Sequence, residues 1–356
     1  MEKVKIALIG AGNIANAHLR SYRDVADAQI YAICNINKET LNETADRYGI
    51  SRRYTDVDTM LEELPELDAA DVCVWNCNHA SCAIKALNAG LHVLCEKPMA
   101  YNTAEAEQML SAAKKNGKTL MIGFVCRMER ESVIARDFIE NGELGELFYS
   151  KISFLRRHGN PGGWFADKSR SGGGPIIDLG VHVIDLVRFL MGKPNAVSVY
   201  AATYARLGKR AHLKNTVSYH PRDARDEDPS TVEDLASVMI RFDNGATVNL
   251  EASFDANIPK DVFRYELHGT KGTLVVDGSD VNVYTEVNGF LSDVRVATEN
   301  YRGFPRPEFV EEMARFVACV KDGAPCPAPG EDGIAIMKIL DAIYESAKTG
   351  HEVVIG

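Results

Sequence analysis

An apolar stretch near the middle of the chain, IIDLGVHVID (176–185), carries three titratable side chains. Asp178, His182 and Asp185 are spaced by four and three residues, so a helix would place all three on one face. A buried carboxylate or imidazole costs free energy unless it is paired. The stripe is therefore either a structural hydrogen-bond network or a site where an imidazole base and carboxylates act on a substrate. A metal site is not predicted, because no second histidine or cysteine cluster supports one.

A glycine-rich turn near the amino terminus indicates a dinucleotide site. In ALIGAGNIANAH, Gly10 and Gly12 directly follow an apolar run, and Ala15 takes the third position of a G-x-G-x-x-G/A pattern at the start of a predicted helix. Such a turn lets a pyrophosphate approach the backbone and meet the N–H groups of the helix. We predict that the cofactor is bound by the turn residues Gly10, Gly12, Asn13 and Ile14.

The end of the second predicted strand, ICNINK, bears on the choice between NAD and NADP. An acidic residue usually binds the adenosine ribose there, but this chain has Asn35. An amide can still bind the ribose hydroxyls, although it lacks the charge that repels a 2′-phosphate. Lys38 follows and could attract that phosphate. We expect NAD, with NADP as the alternative.

The elements that must hold these residues alternate over the first 124 residues. Short apolar strands alternating with amphipathic helices are typical of a parallel sheet covered on both faces. The strands are predicted at VKIALI, QIYAIC, ADVCVW, HVLC and TLMIGF, and the helices at 13–23, 38–48, 79–89 and 103–115. Residues 1–124 are thus predicted as a doubly wound α/β domain.

Residues 125–356 have a different pattern, which predicts an α+β domain with a large, open, mainly antiparallel sheet. Asn-Gly and Gly turns of hairpin type join several of the runs, as in FDNGAT and HGTKGTL. Helices are predicted at 131–141, 175–191, 307–321 and 330–348, and strands at AVSVYAAT, LASVMIRF, ATVNLEASF, FRYELHG, GTLVVDG and DVNVYTEV. The long polar segment 206–231 is predicted as a functional or disordered loop.

Size and composition exclude several classes of protein. A chain of 356 residues is long enough for two domains, and it has no apolar run of the roughly 20 residues that a membrane helix needs. A net charge of −10 argues against a nucleic-acid surface. None of the 8 cysteines forms a C-x-x-C pair, which favours reduced thiols over disulfides or zinc. The amino terminus lacks a signal-type cleavage region, so we expect a cytoplasmic protein.

Two longer stretches, NCNHASCAIKALNAGLHVLCEKPMA (76–100) and SGGGPIIDLGVHVIDLVRFLMG (171–192), resemble the glucose-fructose oxidoreductase and inositol dehydrogenase family, Gfo/Idh/MocA. The resemblance implies an NAD(P)-binding Rossmann domain and assigns catalysis to Lys97, Asp178 and His182. It also places Asn76, His79 and Glu96 in cofactor-side motifs, with Pro98 after a cis peptide.

Two motifs depart from the family pattern. The usual T-P-N reads Val74-Trp75-Asn76, and the usual G-F-N-R-R-F reads GFVCRM, which keeps only Arg127 of the polar trio. By the resemblance, Arg127 is expected on the cofactor side.

The resemblance implies oxidation of a secondary hydroxyl of a sugar, glycoside or cyclitol. A base takes the hydroxyl proton while hydride leaves the same carbon for nicotinamide. His182 and Lys97 are both candidates for that base, and Asp178 could orient the imidazole or bind the substrate. The loop RRHGNPGGWFADKSRSGGG is either solvated or lines a polyol pocket, in which case its binding residues are Arg156, His158 and Trp164, beside Asp167 and Lys168.

Two alternatives of other classes stay open at this point. One is a redox-neutral enzyme of the same fold, such as a glycosidase or eliminase that recycles bound NAD. The other is a non-catalytic cofactor sensor, which the retention of Lys97, Asp178 and His182 disfavours. The resemblance also implies a homodimer or homotetramer assembled through the open sheet.

Overall fold

The computed structural model describes residues 2–208, 210, 212–213, 220–225, 230–298 and 306–356. The chain forms two compact units. The first comprises Met1–Val125 and Arg306–Met337, and the second comprises Cys126–Pro305 and Lys338–Gly356. The sequence prediction had instead placed every residue after 124 in the second domain.

The first unit is built on a six-stranded parallel sheet, which confirms the doubly wound prediction. Its strands are β1 (Val4–Ile9), β2 (Ala28–Cys34), β3 (Arg52–Tyr54), β4 (Ala69–Val72), β5 (His92–Glu96) and β6 (Leu120–Gly123), in the order β3-β2-β1-β4-β5-β6. The order reverses between β1 and β4. In open sheets of this kind, ligands bind outside the carboxyl ends of the strands at that point.

Five helices connect these strands. They are α1 (Asn13–Tyr22), α2 (Lys38–Tyr48), α3 (Val57–Glu63), α4 (His79–Asn88) and α5 (Thr103–Asn116). Side-chain caps explain several starts: Asn37, Asp56 and Asn102 each accept a hydrogen bond from the backbone N–H three residues later. The short β3 and α3 were not predicted from the sequence.

The second unit contains a nine-stranded sheet, which confirms the mainly antiparallel prediction. Its strands are β7 (Leu147–Leu155), β8 (Ala196–Tyr204), β9 (Leu235–Phe242), β10 (Thr247–Ser253), β11 (Val262–Gly269), β12 (Gly272–Asp277), β13 (Asp280–Val287), β14 (Phe290–Val296) and β15 (Val353–Val354). The order is β14-β13-β12-β11-β7-β10-β9-β8-β15, and among the described strands only β7 and β10 pair in parallel. β7, β14 and β15 were not predicted.

The helices of this unit are α6 (Arg130–Glu140), α7 (Lys168–Ser171) and α8 (Val181–Leu190). The predicted helix over 175–191 contains a π-helical turn, Ile176–Gly180, before α8 begins. In that turn the N–H of Val181 donates to the carbonyl of Ile176, five residues back. Such single turns inside helices often occur at functional sites.

Two further helices, α9 (Glu308–Asp322) and α10 (Gly330–Thr349), precede the last strand and lie close to their predicted bounds. α9 packs on α1 in the first unit, where the rings of His18 and Phe309 are 5.7 Å apart. Its buried face includes Val310, Met313 and Phe316. An apolar stripe shows that a helix is buried but not against which element, so the sequence did not reveal this placement.

The described part of the chain contains no helix with the length and apolar character that a bilayer crossing requires.

Residues 209, 211, 214–219 and 226–229 of the polar segment 206–231 lie outside the described residues. Near its start, the backbone N–H groups of Arg206, Leu207 and Gly208 donate to the carboxylate of Asp234.

Candidate active site

The glycine turn between β1 and α1 has the geometry of a dinucleotide site. Gly10 has a φ of +108°, and a Cβ there would lie 2.2 Å from the carbonyl oxygen of Cys73. Gly12 is exposed, and a Cβ at this position would meet nothing within 4 Å. Asn13 and Ile14 form the first turn of α1, whose N–H groups have no carbonyl partner within a helix. These residues fit a pyrophosphate lying against the helix start.

Asn35 is half-buried and directly follows β2, and its contact with the adenosine ribose stays a prediction. Its amide Nδ2 donates to the carbonyl of Asn37 at 2.9 Å. The next side chain, Ile36, is 78% exposed. The end of β2 therefore presents an uncharged amide and an apolar side chain, with no carboxylate at the position that usually selects NAD.

The loops after β4 and β5 are tied together by His79. Its side chain is buried, with Nδ1 2.7 Å from the carbonyl oxygen of Pro98 and Nε2 3.1 Å from that of Val74. Burial lowers the pKa of His79, against the effect of the two carbonyls. Asn76 is also buried, at the start of a short helical turn. The peptide between Lys97 and Pro98 is cis, as the family motif implies.

Glu96 and Lys97 follow each other at the end of β5 but have different environments. Glu96 is buried, and its carboxylate accepts from the backbone N–H of Lys97 at 3.3 Å and lies 3.0 Å from Nε2 of His18. The Lys97 side chain is half-buried. Protein groups thus hold the Glu96 carboxylate, and its predicted contact with the cofactor stays a prediction, as do those of His79 and Asn76.

In the second unit the stripe of three titratable residues divides into two environments. Asp178 in the π turn and His182 in α8 are half-buried, whereas Asp185 is 1% exposed. Nδ1 of His182 lies 3.7 Å from Sγ of Cys126. The side chains of Ile176 and Val181 in the same segment are buried.

Asp185 is the partner of Arg127. The guanidinium donates from Nε to Oδ2 at 2.8 Å and from Nη2 to Oδ1 at 2.6 Å. Arg127 also lies over the ring of Phe189, with its Cζ 4.6 Å from the ring centroid. Asp185 therefore has a structural partner, and the expected cofactor contact of Arg127 stays a prediction.

Glu233, which no sequence motif indicated, binds the glycine triplet before the π turn. Its buried carboxylate accepts from the N–H groups of Gly174 and Ile176 and from the hydroxyl of Tyr344. A Cβ on Gly174 would lie 2.4 Å from the Glu233 carbonyl oxygen, and one on Gly173 would lie 1.9 Å from the Tyr344 hydroxyl. The glycines thus bring the backbone close to Glu233, which fixes the start of the segment that carries Asp178.

In the predicted substrate loop, the His158 ring contacts a buried carboxylate. Nδ1 of His158 lies 2.8 Å from Oδ1 of Asp255. Burial raises the pKa of Asp255 to about 6, and the contact with His158 opposes this. Trp164 is half-buried, with its ring centroid 3.9 Å from that of Phe165. Arg156 is half-buried and donates to the carbonyl of Gly159 at 3.4 Å.

Comparison with known proteins agrees with this geometry. Residues 4–124 match the model of the oxidoreductase family with an NAD-binding Rossmann fold, and residues 133–275 match the GFO/IDH/MocA C-terminal domain. The chain is 31% identical to D-glucoside 3-dehydrogenase of Escherichia coli, with 98% of this chain and 97% of that protein covered. It is 28% identical to myo-inositol 2-dehydrogenase of Thermotoga maritima, with coverages of 93% and 92%.

Solved structures with the same fold extend the comparison. The structure of an oxidoreductase domain protein from Kribbella flavida matches with a TM-score of 0.87 at 26% identity, over 100% of both chains. Levoglucosan dehydrogenase in complex with NADH and L-sorbose matches with a TM-score of 0.86, also at 26% identity and over 100% of both chains. The chain belongs to the Gfo/Idh/MocA family of oxidoreductases, whose amino-terminal domain is an NAD-binding Rossmann fold.

Proposed function

We propose that this oxidoreductase oxidises a secondary hydroxyl of a sugar, glycoside or cyclitol. One observation carries the proposal: among the charged residues of the two family motifs, Glu96 and Asp185 are buried, whereas Lys97, Asp178 and His182 are only half-buried. Groups that act on a substrate must be reachable by it. The relatives named as acting on glucosides and myo-inositol support the same class of substrate.

The first unit supplies the cofactor site in this proposal. The turn at Gly10 and Gly12 and the start of α1 would hold the pyrophosphate, and Asn35 would bind the adenosine ribose. A nicotinamide cofactor held there would supply the acceptor for the hydride that leaves the substrate carbon. We propose NAD as the natural cofactor, because an amide at position 35 can donate to and accept from the ribose hydroxyls.

The second unit supplies the proton chemistry. We propose that His182 takes the hydroxyl proton at Nε2, because its Nδ1 contacts Cys126 and the ring is thereby oriented. Asp178, four residues earlier, would hydrogen-bond the substrate. The Lys97 ammonium would donate a hydrogen bond to the oxygen that loses the proton.

The loop 156–170 is proposed to select the polyol. The contact with Asp255 fixes the ring of His158, which leaves Nε2 of His158 for a substrate hydroxyl. An aromatic ring such as Trp164 can pack on the apolar face of a sugar while Arg156 binds its hydroxyls. The loop thus combines donors, acceptors and an apolar surface in the way that sugar binding requires.

The test is a screen of sugars, glycosides and inositols, each with NAD and with NADP, read by the absorbance of the reduced cofactor. We expect at least one sugar, glycoside or cyclitol to reduce NAD at a rate well above the enzyme-free background. Bound nicotinamide that never exchanges with added cofactor, together with no net reduction for any compound, would contradict the proposal.

We also propose that the nine-stranded sheet joins copies of this chain. Its outward side chains include Tyr200 and Met239, which face each other across β8 and β9 and are 50% and 42% exposed. Large exposed apolar patches commonly mark protein interfaces. Sedimentation velocity should show a dimer or tetramer, and Met239→Asp should dissociate it; a monomeric wild-type protein would contradict this.

A further inference from the structure

Four titratable side chains from four elements meet in the interior of the first unit. They are His18 of α1, Asp71 of β4, Glu96 of β5 and Glu312 of α9, with exposures of 0%, 0%, 6% and 0%. Burial of this kind costs several kcal/mol per unpaired charge, so the arrangement of protons within the cluster is strongly constrained.

His18 lies between two carboxylates. Its Nδ1 is 2.9 Å from Oδ2 of Asp71, and its Nε2 is 3.0 Å from Oε1 of Glu96. An ionised carboxylate can only accept, so an imidazolium with two N–H donors satisfies both contacts, whereas a neutral imidazole satisfies one. Burial lowers the pKa of His18, but Asp71 and Cys73 outweigh it and hold that pKa well above its usual value.

The second carboxylate oxygen of Glu96 contacts the backbone of Lys97, a residue of the proposed active site. Oε2 accepts from the backbone N–H of Lys97 at 3.3 Å. On the neighbouring strand, a Cβ on Gly123 would lie 2.9 Å from Oε1 of Glu96, so the glycine leaves room for this carboxylate. The chain of contacts from Asp71 through His18 and Glu96 therefore ends at the backbone of Lys97.

We propose that His18 is a positioning residue for Lys97: as an imidazolium it holds Glu96 inside the protein, and Glu96 fixes the turn that begins at Lys97. The inference rests on the proposed function, in which Lys97 touches the reacting oxygen. Without the His18 cation, the Glu96 carboxylate would be buried and uncompensated, and we expect it to turn away from the Lys97 N–H.

Glu312 also faces His18, in addition to Asp71 and Glu96. Cys73 and Tyr22 lie beside Asp71. Neither carboxylate oxygen of Glu312 has a hydrogen-bond partner among the described residues. Burial raises the pKa of Glu312 well above its usual value, so a neutral carboxylic acid is expected. The nitrogen and oxygen atoms of His18, Glu96 and Glu312 lie within 4.8 Å of one another, a spacing that a metal could bridge, but an imidazolium has no lone pair for a metal.

The experiment compares His18→Gln with His92→Gln, a matched control at the opposite end of β5, where Nδ1 accepts from the Thr119 N–H at 3.1 Å. We expect His18→Gln to lower kcat about 10- to 100-fold, as small displacements of reacting groups do, with the Kd of NADH within about two-fold of wild type. The control should keep wild-type kcat. Unchanged kcat in folded His18→Gln, or a loss matched by an equal loss of NADH binding, would overturn the inference.

Two readouts do not depend on turnover. Labelling of Lys97 by trinitrobenzenesulfonate, followed by peptide mass spectrometry, should change in rate at least about five-fold in His18→Gln and stay unchanged in His92→Gln.

¹⁵N NMR of the wild-type protein at pH 8 should show both ring nitrogens of His18 protonated. A neutral ring, or about one tightly bound divalent metal per chain in protein purified without chelators, would overturn the imidazolium. An inactive wild type that passes both tests would refute the proposed function alone.

Discussion

Arg127 and Asp185 form a two-contact ion pair in which both side chains are 1% exposed. The pair joins the turn before α6, which contains Arg127, to α8, which contains Asp185. Asp185 lies three residues after His182 in the sequence. A planar guanidinium bound to both oxygens of one carboxylate fixes the relative position of the two segments. Of the three titratable residues in IIDLGVHVID, Asp185 therefore has a structural role, and Asp178 and His182 remain the proposed catalytic pair.

Asp185→Ala should destabilise the second unit by about 3–5 kcal/mol, because it leaves the Arg127 charge buried without its partner. Urea unfolding measures the loss. Glu140→Ala is the control, since Glu140 pairs with Arg136 at the surface, where the two side chains are 57% and 51% exposed. This control should change the free energy of unfolding by less than about 1 kcal/mol. Equal changes in the free energy of unfolding would show that the buried ion pair stabilises the protein no more than the exposed one.

Gly10→Ala should mainly lower the stability of the protein, whereas Gly12→Ala should mainly weaken NADH binding. At Gly10 a Cβ lies 2.2 Å from a backbone oxygen and φ is +108°, so alanine should cost about 1–3 kcal/mol of stability. At Gly12 nothing lies within 4 Å, so the variant should fold normally but weaken NADH binding by about 10-fold or more. Thermal unfolding and NADH fluorescence titration separate the two effects. Normal NADH affinity in folded Gly12→Ala would contradict the placement of the pyrophosphate.

Most regular elements of the first unit were predictable because the apolar pattern that indicates each strand or helix lies within one short segment. The exceptions, β3 with 3 residues and α3 with 7 residues, are too short to show such a pattern. The runs VKIALI and QIYAIC became β1 and β2 almost residue for residue. β7 was missed although it lies in the middle of its sheet, because its partners β10 and β11 come about 100 residues later and no hairpin turn marks it.

Site residues could be proposed from the sequence where a motif lies within one segment, whereas a role that depends on distant contacts could not. Lys97, Asp178 and His182, which the motifs single out, are half-buried, and their catalytic roles stay predictions. Glu233 accepts hydrogen bonds from the glycine loop 59 residues away, and Glu312 meets Glu96 across the chain, so neither role has a local signal. The π turn also has no pattern in the apolar spacing that separates it from an ordinary helix.

Asp255→Asn tests a pH dependence of stability. The folded pKa of Asp255 is about 6, above the value near 3.9 of an exposed aspartate. Between these values the folded state binds more protons than the unfolded state, so this group's contribution to stability falls as pH rises from about 4 to 6. Relative to wild type, Asp255→Asn should gain up to about 3 kcal/mol over that range and no more above it. Urea unfolding at several pH values measures the difference; a constant difference would contradict the raised pKa.

In the proposed reaction, Lys97 and His182 act on the substrate hydroxyl, while the glycine turn before α1 holds the cofactor. The most direct measurement is single-turnover reduction of NAD by Lys97→Met and His182→Gln, with NADH affinity measured on the same preparations. The best substrate from the screen is used at a saturating concentration, so that the measured rate does not depend on how fast the polyol binds. We predict that both variants bind NADH within about two-fold of wild type and reduce NAD at least about 100-fold more slowly. Wild-type rates in either variant would contradict the assignment.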